Sequence, residues 1–353
     1  MKRHVAALFS NGKIKLIEDT VPPLTKGMVR IKTICSLVSP GSELKGWDAL
    51  AKQRINPETE VSQKKFGYSV TGIIDAVGEN VSSRLKVGLR VAAIGAGYAQ
   101  HSDYVVVPQN LCFEVPKNVK SSDASYAMLI ATALQVLRRA KPEIGEYYLV
   151  CGLGIVGLLT AKLLQLNGCK VLGIDNHSTR VELAKRWGID QVVLDSDLDY
   201  DKKLDSFTEK EGFDGAVLAF GGRADGPLDR IVKHMRLCPD SHRTGNIVVV
   251  GWPVFSYKGE IGNMNNINLL RSSRTGAGYH DPEWEISDRD YPEVFVRWTT
   301  RKNVKFCLQL LESGKIDVSS LTTNFISLMN VEQEIDKCIE HPENMLGVIF
   351  ENR

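Results

Sequence analysis

At 353 residues, 43% hydrophobic and 24% charged, the chain has ordinary globular composition and length enough for two domains. A net charge of +2 and a pI near 8.1 leave no electrostatic footprint for nucleic acid, and no segment approaches the ~18 apolar residues of a membrane helix. The seven cysteines are odd in number, scattered and free of any CxxC pair, which argues against a disulfide framework or a thiolate cluster and predicts a reducing, cytoplasmic setting.

In chain order, MKRHVAALFSNGKIKLIE predicts two strands joined at an Asn11-Gly12 turn, its apolar run being too short for a signal peptide. The runs VRIKTIC, VTGIIDAVG, RVAAIG and DYVVVP, separated by glycine and proline, predict a small β-rich domain over residues 1–120. From Ser121 the pattern changes: SDASYAMLIATALQVLRRA carries apolar residues at helical spacing behind a Ser-Ser-Asp start. Strands and helices then alternate through YYLVCGLG, IVGLLTAKLLQLNG, KVLGID, TRVELAKRWG, QVVLD, GFDGAVLAFGG, PLDRIVKHMRL and NIVVVGWP, which predicts a doubly wound parallel sheet over 121–290. Residues 291–353 predict a helix in VRWTTRKNVKFCLQLLESG, a strand in FISL, a helix in VEQEIDKCIEH and a last strand, LGVIFEN.

Gly152, Gly154 and Gly157 spell GxGxxG between a strand and a helix, with a second strand ending at Asp175. That context makes the motif a dinucleotide fingerprint: a tight turn, close approach of backbone to a pyrophosphate, close helix–strand packing, and free N–H groups at the helix start. A carboxylate at the end of the second strand suits the two ribose hydroxyls and repels a 2′-phosphate, so NAD is expected over NADP. Arg180 could soften that repulsion but is expected on the solvent face of the next helix. The expected cofactor contacts are Gly152, Gly154, Ile155, Val156, Gly157, Asp175, Asn176, Arg180, Gly221, Gly251 and Trp252.

With VRIKTICSLVSPGSELKGW, FGYSVTGIIDAVGENV, LKVGLRVAAIG, the GLGIVG turn and VVVGWP in place, nearly the whole chain resembles the medium-chain dehydrogenase/reductase superfamily, the zinc alcohol dehydrogenase-like group. SPGSEL, HSDYVVVP and GAGYHDPEWE are similar to the branch that holds bacteriochlorophyllide dehydrogenase-like proteins and sugar- or cyclitol-oxidising relatives. The resemblance implies a Rossmann domain, a GroES-like catalytic domain at 1–120, and a return to that domain at 291–353. In zinc-dependent members the front domain carries C-G-[ST]-D-x-H and then G-H-E. Here the cysteine position holds Pro40, the G-H-E positions hold Gly67, Tyr68 and Ser69, the later acidic ligand falls near Met128, and the four-cysteine lobe is replaced by GAGYAQHSDY. None of the expected ligands remains, so no zinc is expected, and Cys35 reads as a small core hydrophobe.

Without a metal, side chains must supply acid/base help. The resemblance assigns Ser42 to the substrate oxygen, Glu43 to support of the site, Tyr68 to the vacated metal position and Lys45 to a proton-relay position. A Tyr68–Lys45 pair would work if the ammonium lowers the phenol's pKa. Against it stands the reading of Tyr68 as a filler and Lys45 as a solvated lysine. His101 and His280 are further acid/base candidates, or loop residues. Tyr98, Tyr279, Asp281, Arg297 and Trp298 make the expected pocket polar and aromatic, as a sugar, nucleotide sugar or cyclitol would require. The expected function is a zinc-independent, NAD-dependent dehydrogenase of a secondary alcohol on such a small molecule. Three alternatives stand beside it: an epimerase or lyase that oxidises transiently with tightly bound NAD, an enoyl or quinone reductase, and a silent dinucleotide-binding protein. Neither nucleic acid nor membrane is an expected partner. A homodimer or homotetramer is expected, with NINLL as a candidate pairing edge.

Overall fold

The strand Met28–Val38 organises the first unit of the structure. Its odd-numbered residues Val29, Ile31 and Thr33 are buried in alternation, and from Cys35 every residue to Val38 is buried. It pairs antiparallel with Ser69–Val77, with Tyr104–Pro108 and with Gly347–Glu351. The resulting seven-stranded sheet adds Thr322–Ser327 at one end and Arg90–Ile94 and Cys112–Glu114 at the other. A three-stranded sheet is built from Ile14–Thr20, Lys2–Phe9 and Gln63–Lys65.

The computed structural model describes residues 1–55, 62–256 and 264–352. The chain divides into two compact units, one of residues 1–131 and 275–353, the other of residues 132–274. The core of the first gathers Val38, Leu44, Trp47, Leu50, Phe66, Val348 and Phe350. It clamps both ends of the Ser-Pro-Gly segment: Val38 ends the strand before it, and Trp47, which opens the helix Trp47–Ile55, donates its indole N–H to Leu346 O at 3.3 Å. Truncating such a buried aromatic costs about 3–5 kcal/mol.

In the second unit six parallel strands run in the order Gln191–Leu194, Lys170–Asp175, Tyr147–Cys151, Gly215–Leu218, Thr244–Val249 and Asn266–Arg271. This is the mixed α/β Rossmann arrangement. The strands read as nearly unbroken apolar runs because helices cover both faces of such a sheet. Leu149, Leu172, Ala216, Leu218 and Ile247 form its core together with Phe213 and Leu228. Two short strands absent from the sequence reading, Gly221–Arg223 and Trp252–Val254, pair in parallel just beyond the carboxyl ends of two central strands.

Two predicted helices differ in extent. SDASYAMLIATALQVLRRA splits into Ser121–Ala124 and Ala127–Ala140. The helix expected from VRW onward begins at Thr300, because the Thr299 side chain accepts from Lys302 N and fixes the start there; Arg297 and Trp298 therefore precede it. Among the described residues, no helix is long and apolar enough to cross a membrane.

Candidate active site

The glycine turn of the second unit follows the strand Tyr147–Cys151 and opens the helix Ile155–Leu166, with Gly154 at its N-cap position. Gly152 has φ +93°, in the left-handed region that favours glycine. A Cβ on Gly157 would lie 1.8 Å from Gly152 O, so only glycine lets helix and turn meet. A Cβ on Gly154, by contrast, would meet nothing within 4 Å. That open space, beside the unpaired N–H groups of a helix start, fits a pyrophosphate. Ile155 is buried beneath the turn and Val156 partly so.

Asp175 ends its strand with a 3% exposed side chain. Its Oδ2 accepts from Leu153 N at 2.7 Å and its Oδ1 from His177 N at 2.8 Å. Each oxygen keeps a second lone pair, so the residue holds the glycine turn in place and can still accept from a ribose. Arg180 departs from expectation. Instead of facing away, its guanidinium comes to 3.7 Å from Asp175 Oδ2, because the first turn of the helix Ser178–Arg186 carries it back toward the carboxylate. Asn176 is exposed beside them. Gly221 and Trp252 are register partners in the small parallel ladder, and Gly251 just before it has φ +100°. The Arg271 guanidinium sits 5.4 Å over the exposed Trp252 ring and donates to Gly251 O at 2.6 Å. These residues fit a dinucleotide at the carboxyl ends of the strands.

In the first unit, Ser39–Glu43 folds into one helical turn, Pro40–Glu43, as the strand ends. Glu43 N donates to Ser39 O at 3.0 Å, and Glu43 Oε2 accepts back from Ser39 N at 3.1 Å. The same Oε2 lies 3.1 Å from His101 Nε2, and His101 Nδ1 lies 2.8 Å from Ser36 Oγ. His101 is fully buried between the edges of Phe66 and Phe350, and only 4% of the Glu43 side chain is exposed. The other carboxylate oxygen, Oε1, is buried without a partner among the described residues. Gly67 makes this chain possible: at φ +112°, a Cβ there would strike His101 N at 2.4 Å.

Tyr68 stands beside Glu43 and is half-buried. Burial foremost, then the Glu43 charge, raises its phenol above the usual range, while the Ser39 and Ser42 hydroxyls pull the other way and Tyr279 adds to the rise. The expected lowering by Lys45 is therefore corrected. None of the groups acting on Tyr68 is cationic. Lys45 is exposed, has no side-chain partner among the described residues, and takes a left-handed φ of 59° that ends the turn. Ser42 is exposed beside Tyr68. His101 is likewise no open loop base: both ring nitrogens are engaged.

A second buried carboxylate, Glu285, was not singled out in the sequence. It is 3% exposed, accepts from His280 N at 2.8 Å, and acts as hydrogen-bond partner to Tyr98, whose phenol burial and this carboxylate raise. No local signal in the sequence marks the pairing of Glu285 with Tyr98, which lie far apart along the chain. Tyr279 is buried and its oxygen accepts from Ala96 N at 2.8 Å. The exposed His280 ring tilts against the Tyr279 ring at 4.2 Å, with φ +69°. Asp281 is not gathered into this group: it caps the helix Pro282–Ile286 and accepts from the Tyr291 hydroxyl, which lowers its pKa. Arg297 lies 5.1 Å over the Trp298 ring, both exposed.

The residues at the family's zinc-ligand positions do not fit a zinc ion. Pro40 and Tyr68 bring no metal-binding atom of the usual set, Ser69 gives its hydroxyl to Ser125 O at 2.6 Å, and Met128 is a buried thioether. Among the described residues no three His, Cys, Asp or Glu side chains converge as ligands.

Residues 156–298 match the family model described as zinc-binding dehydrogenase. Over that stretch the chain is similar to zinc-binding dehydrogenases, in agreement with its resemblance to the medium-chain dehydrogenase/reductase superfamily. The Rossmann unit and the β-rich unit have the folds seen in solved medium-chain alcohol dehydrogenases. The chain is 29% identical to L-threonine 3-dehydrogenase of Bacillus subtilis over 227 residues, covering 56% of this chain and 63% of that protein, just under two thirds of its length. It is 24% identical to D-guloside 3-dehydrogenase of Escherichia coli K12 over 302 residues, 82% of this chain and 79% of that one. A solved alcohol dehydrogenase (rspB) of Escherichia coli CFT073, in complex with NADH, shares the fold with a TM-score of 0.74 at 20% identity, covering 99% of each chain.

Proposed function

We propose that this chain is a zinc-independent, NAD-dependent dehydrogenase of a secondary alcohol on a small, hydroxyl-rich substrate such as a sugar or cyclitol. The observation that carries the reading is the Glu43 carboxylate. One of its oxygens is fixed by Ser39 N–H and His101, the other is buried with no partner among the described residues, and the carboxylate's charge acts on Tyr68. Oxidation of an alcohol sends the C–H hydrogen off as hydride and the O–H proton to a base. A bound nicotinamide supplies the hydride acceptor. Glu43 Oε1 takes the proton, and Tyr68, kept in its protonated form, donates a hydrogen bond to the substrate oxygen together with Ser42. Tyr98, Tyr279, His280 and Glu285 supply the polar, aromatic contacts that a polyol needs. The D-guloside relative favours the sugar class, and Asp175 favours NAD over NADP, although Arg180 beside it narrows the preference.

The test is a panel of sugars, polyols and cyclitols with NAD, followed by NADH absorbance, on protein dialysed against a chelator. Turnover persists without metal, and Glu43→Gln lowers kcat by about a hundredfold or more. Activity that vanishes on chelation and returns with zinc sinks the proposal. Copies of the chain are proposed to pair through the sheet-edge strand Asn266–Arg271, where Leu269 is exposed; a monomer by light scattering excludes it.

A further inference from the structure

Away from Tyr68 and Glu43, the first unit gathers three cations that the proposed chemistry does not use. Arg301 and Lys305 stand four residues apart on the helix Thr300–Glu312, and so on one face. Arg84, from the segment before the strand Arg90–Ile94, comes close enough that its charge and Arg301's oppose each other. Lys305, itself exposed, is disfavoured as a cation by partial desolvation and then by both arginines, with Asp290 acting the other way.

The chain elsewhere pairs such groups with acids: Arg3 with Asp19 at 2.8 Å, Arg54 with Asp336 at 2.6 Å, Arg236 with Asp214 at 2.6 Å. Among the described residues Arg84, Arg301 and Lys305 form no ion pair, although the Asp288 charge acts on Arg84 and the Asp290 charge on Lys305 from farther off. Their anchors are neutral. Arg84 Nη1 donates to Cys112 O at 3.0 Å and Nη2 to Gln109 O at 2.7 Å. Arg301 Nη1 reaches Asn110 Oδ1 at 3.4 Å and Asp288 O at 3.3 Å.

Two further observations favour an anionic ligand. Arg84 Nε is buried with no hydrogen-bond partner, which a guanidinium tolerates poorly. The 13-residue helix also carries Arg301 and Lys302 in its first turn and no acid there, the wrong sign for the positive end of a helix dipole. Lys302 is answered by Glu293 at 3.0 Å; Arg301 is not. Adjoining the cluster is a cavity of about 500 Å³ lined by Lys26, Asn80, Gln109, Ser287 and Arg289 with Asp288. It shares Gln109 and Asp288 with the cluster, and these are the residues whose carbonyls hold Arg84 and Arg301.

We propose that Arg84, Arg301 and Lys305 form a binding site for a phosphate group, separate from the dinucleotide turn, with the adjoining cavity open to the organic part of a phosphorylated small molecule. A phosphate dianion answers three like charges at once and offers several acceptors to a guanidinium fork.

The test uses the full chain saturated with NADH, so that the glycine turn is filled, with sodium chloride holding ionic strength constant. Inorganic phosphate and glucose 6-phosphate are titrated separately by calorimetry. Saturable binding is expected, weakened about tenfold or more by Arg301→Gln and severalfold by Lys305→Gln, whose exposed side chain makes no contact that folding needs. Glucose 6-phosphate binding more tightly than inorganic phosphate identifies an organic phosphate as the ligand, and equal affinities identify free phosphate. No saturable heat with either, or affinities unchanged in both variants, overturns the site. NADH fluorescence titration of the same samples reports on the dinucleotide reading independently.

Discussion

Glu43 Oε2 and His101 Nε2 lie 3.1 Å apart although 58 residues separate them in the chain. His101 spends its other nitrogen on Ser36, so the ring is a strut between a core hydroxyl and the carboxylate of the site. Removing one partner of a buried polar pair strands the other. His101→Ala is therefore expected to lower the unfolding free energy by about 3 kcal/mol, measured by urea denaturation. A variant as stable as the parent shows that the contact holds nothing together.

Two demands on the glycine turn separate cleanly. Gly157→Ala places a methyl against Gly152 O and is expected to disrupt the turn and lose NADH binding along with stability. Gly154→Ala meets no protein atom within 4 Å, so its melting temperature should match the parent. Its NADH affinity should fall by about tenfold, since the methyl enters the space argued for pyrophosphate. Fluorescence titration beside thermal melting reads both, and full NADH affinity in Gly154→Ala contradicts the placement.

Asp175→Ser removes the charge that repels a 2′-phosphate and leaves Arg180 in place. NADH affinity is expected to drop roughly tenfold while NADPH affinity rises, so the ratio shifts toward NADPH. An unaltered ratio rules Asp175 out as the discriminator.

Asp19 sets an acid limit on stability. Burial alone would raise its pKa, but hydrogen bonds from Arg3 and Lys65 overcome this and hold it at about 2, against an ordinary 3.8. The unfolded chain binds more protons here between those values, so this stabilisation is complete above about pH 4 and disappears as pH falls toward 2. Asp19→Asn should flatten that part of the stability–pH curve. A curve identical to the parent's between pH 2 and 4 shows the pair to be immaterial.

What the sequence made legible was local. The Rossmann alternation, the three glycines and Asp175 are set by residues within one strand–turn–helix–strand unit, and the structure has them in that form. The exchange of ligands for Pro40, Tyr68 and Ser69 was likewise visible position by position. What stayed hidden was the pairing of distant residues. Neither His101 with Glu43 nor Tyr98 with Glu285 carries a local signal, because a buried polar contact across sheet and loop depends on which strands pair. Lys45 shows the opposite error: three residues from Ser42 in sequence, it is turned outward by a single left-handed φ.

Pro40 does more than stand where the resemblance would place a thiolate. Its ring presets the turn, and its carbonyl accepts from Leu44 N at 3.0 Å and Gly46 N at 2.9 Å, holding Glu43 beside His101. Building a zinc site of the kind the resemblance implies would take a thiol at 40, an imidazole at 68 and a third ligand near 128, and each change alone yields an incomplete ligand set. Tyr68→His would also delete the phenol on which the metal-free chemistry is proposed to run. Under the proposed chemistry, no single substitution among these would supply a complete set of zinc ligands.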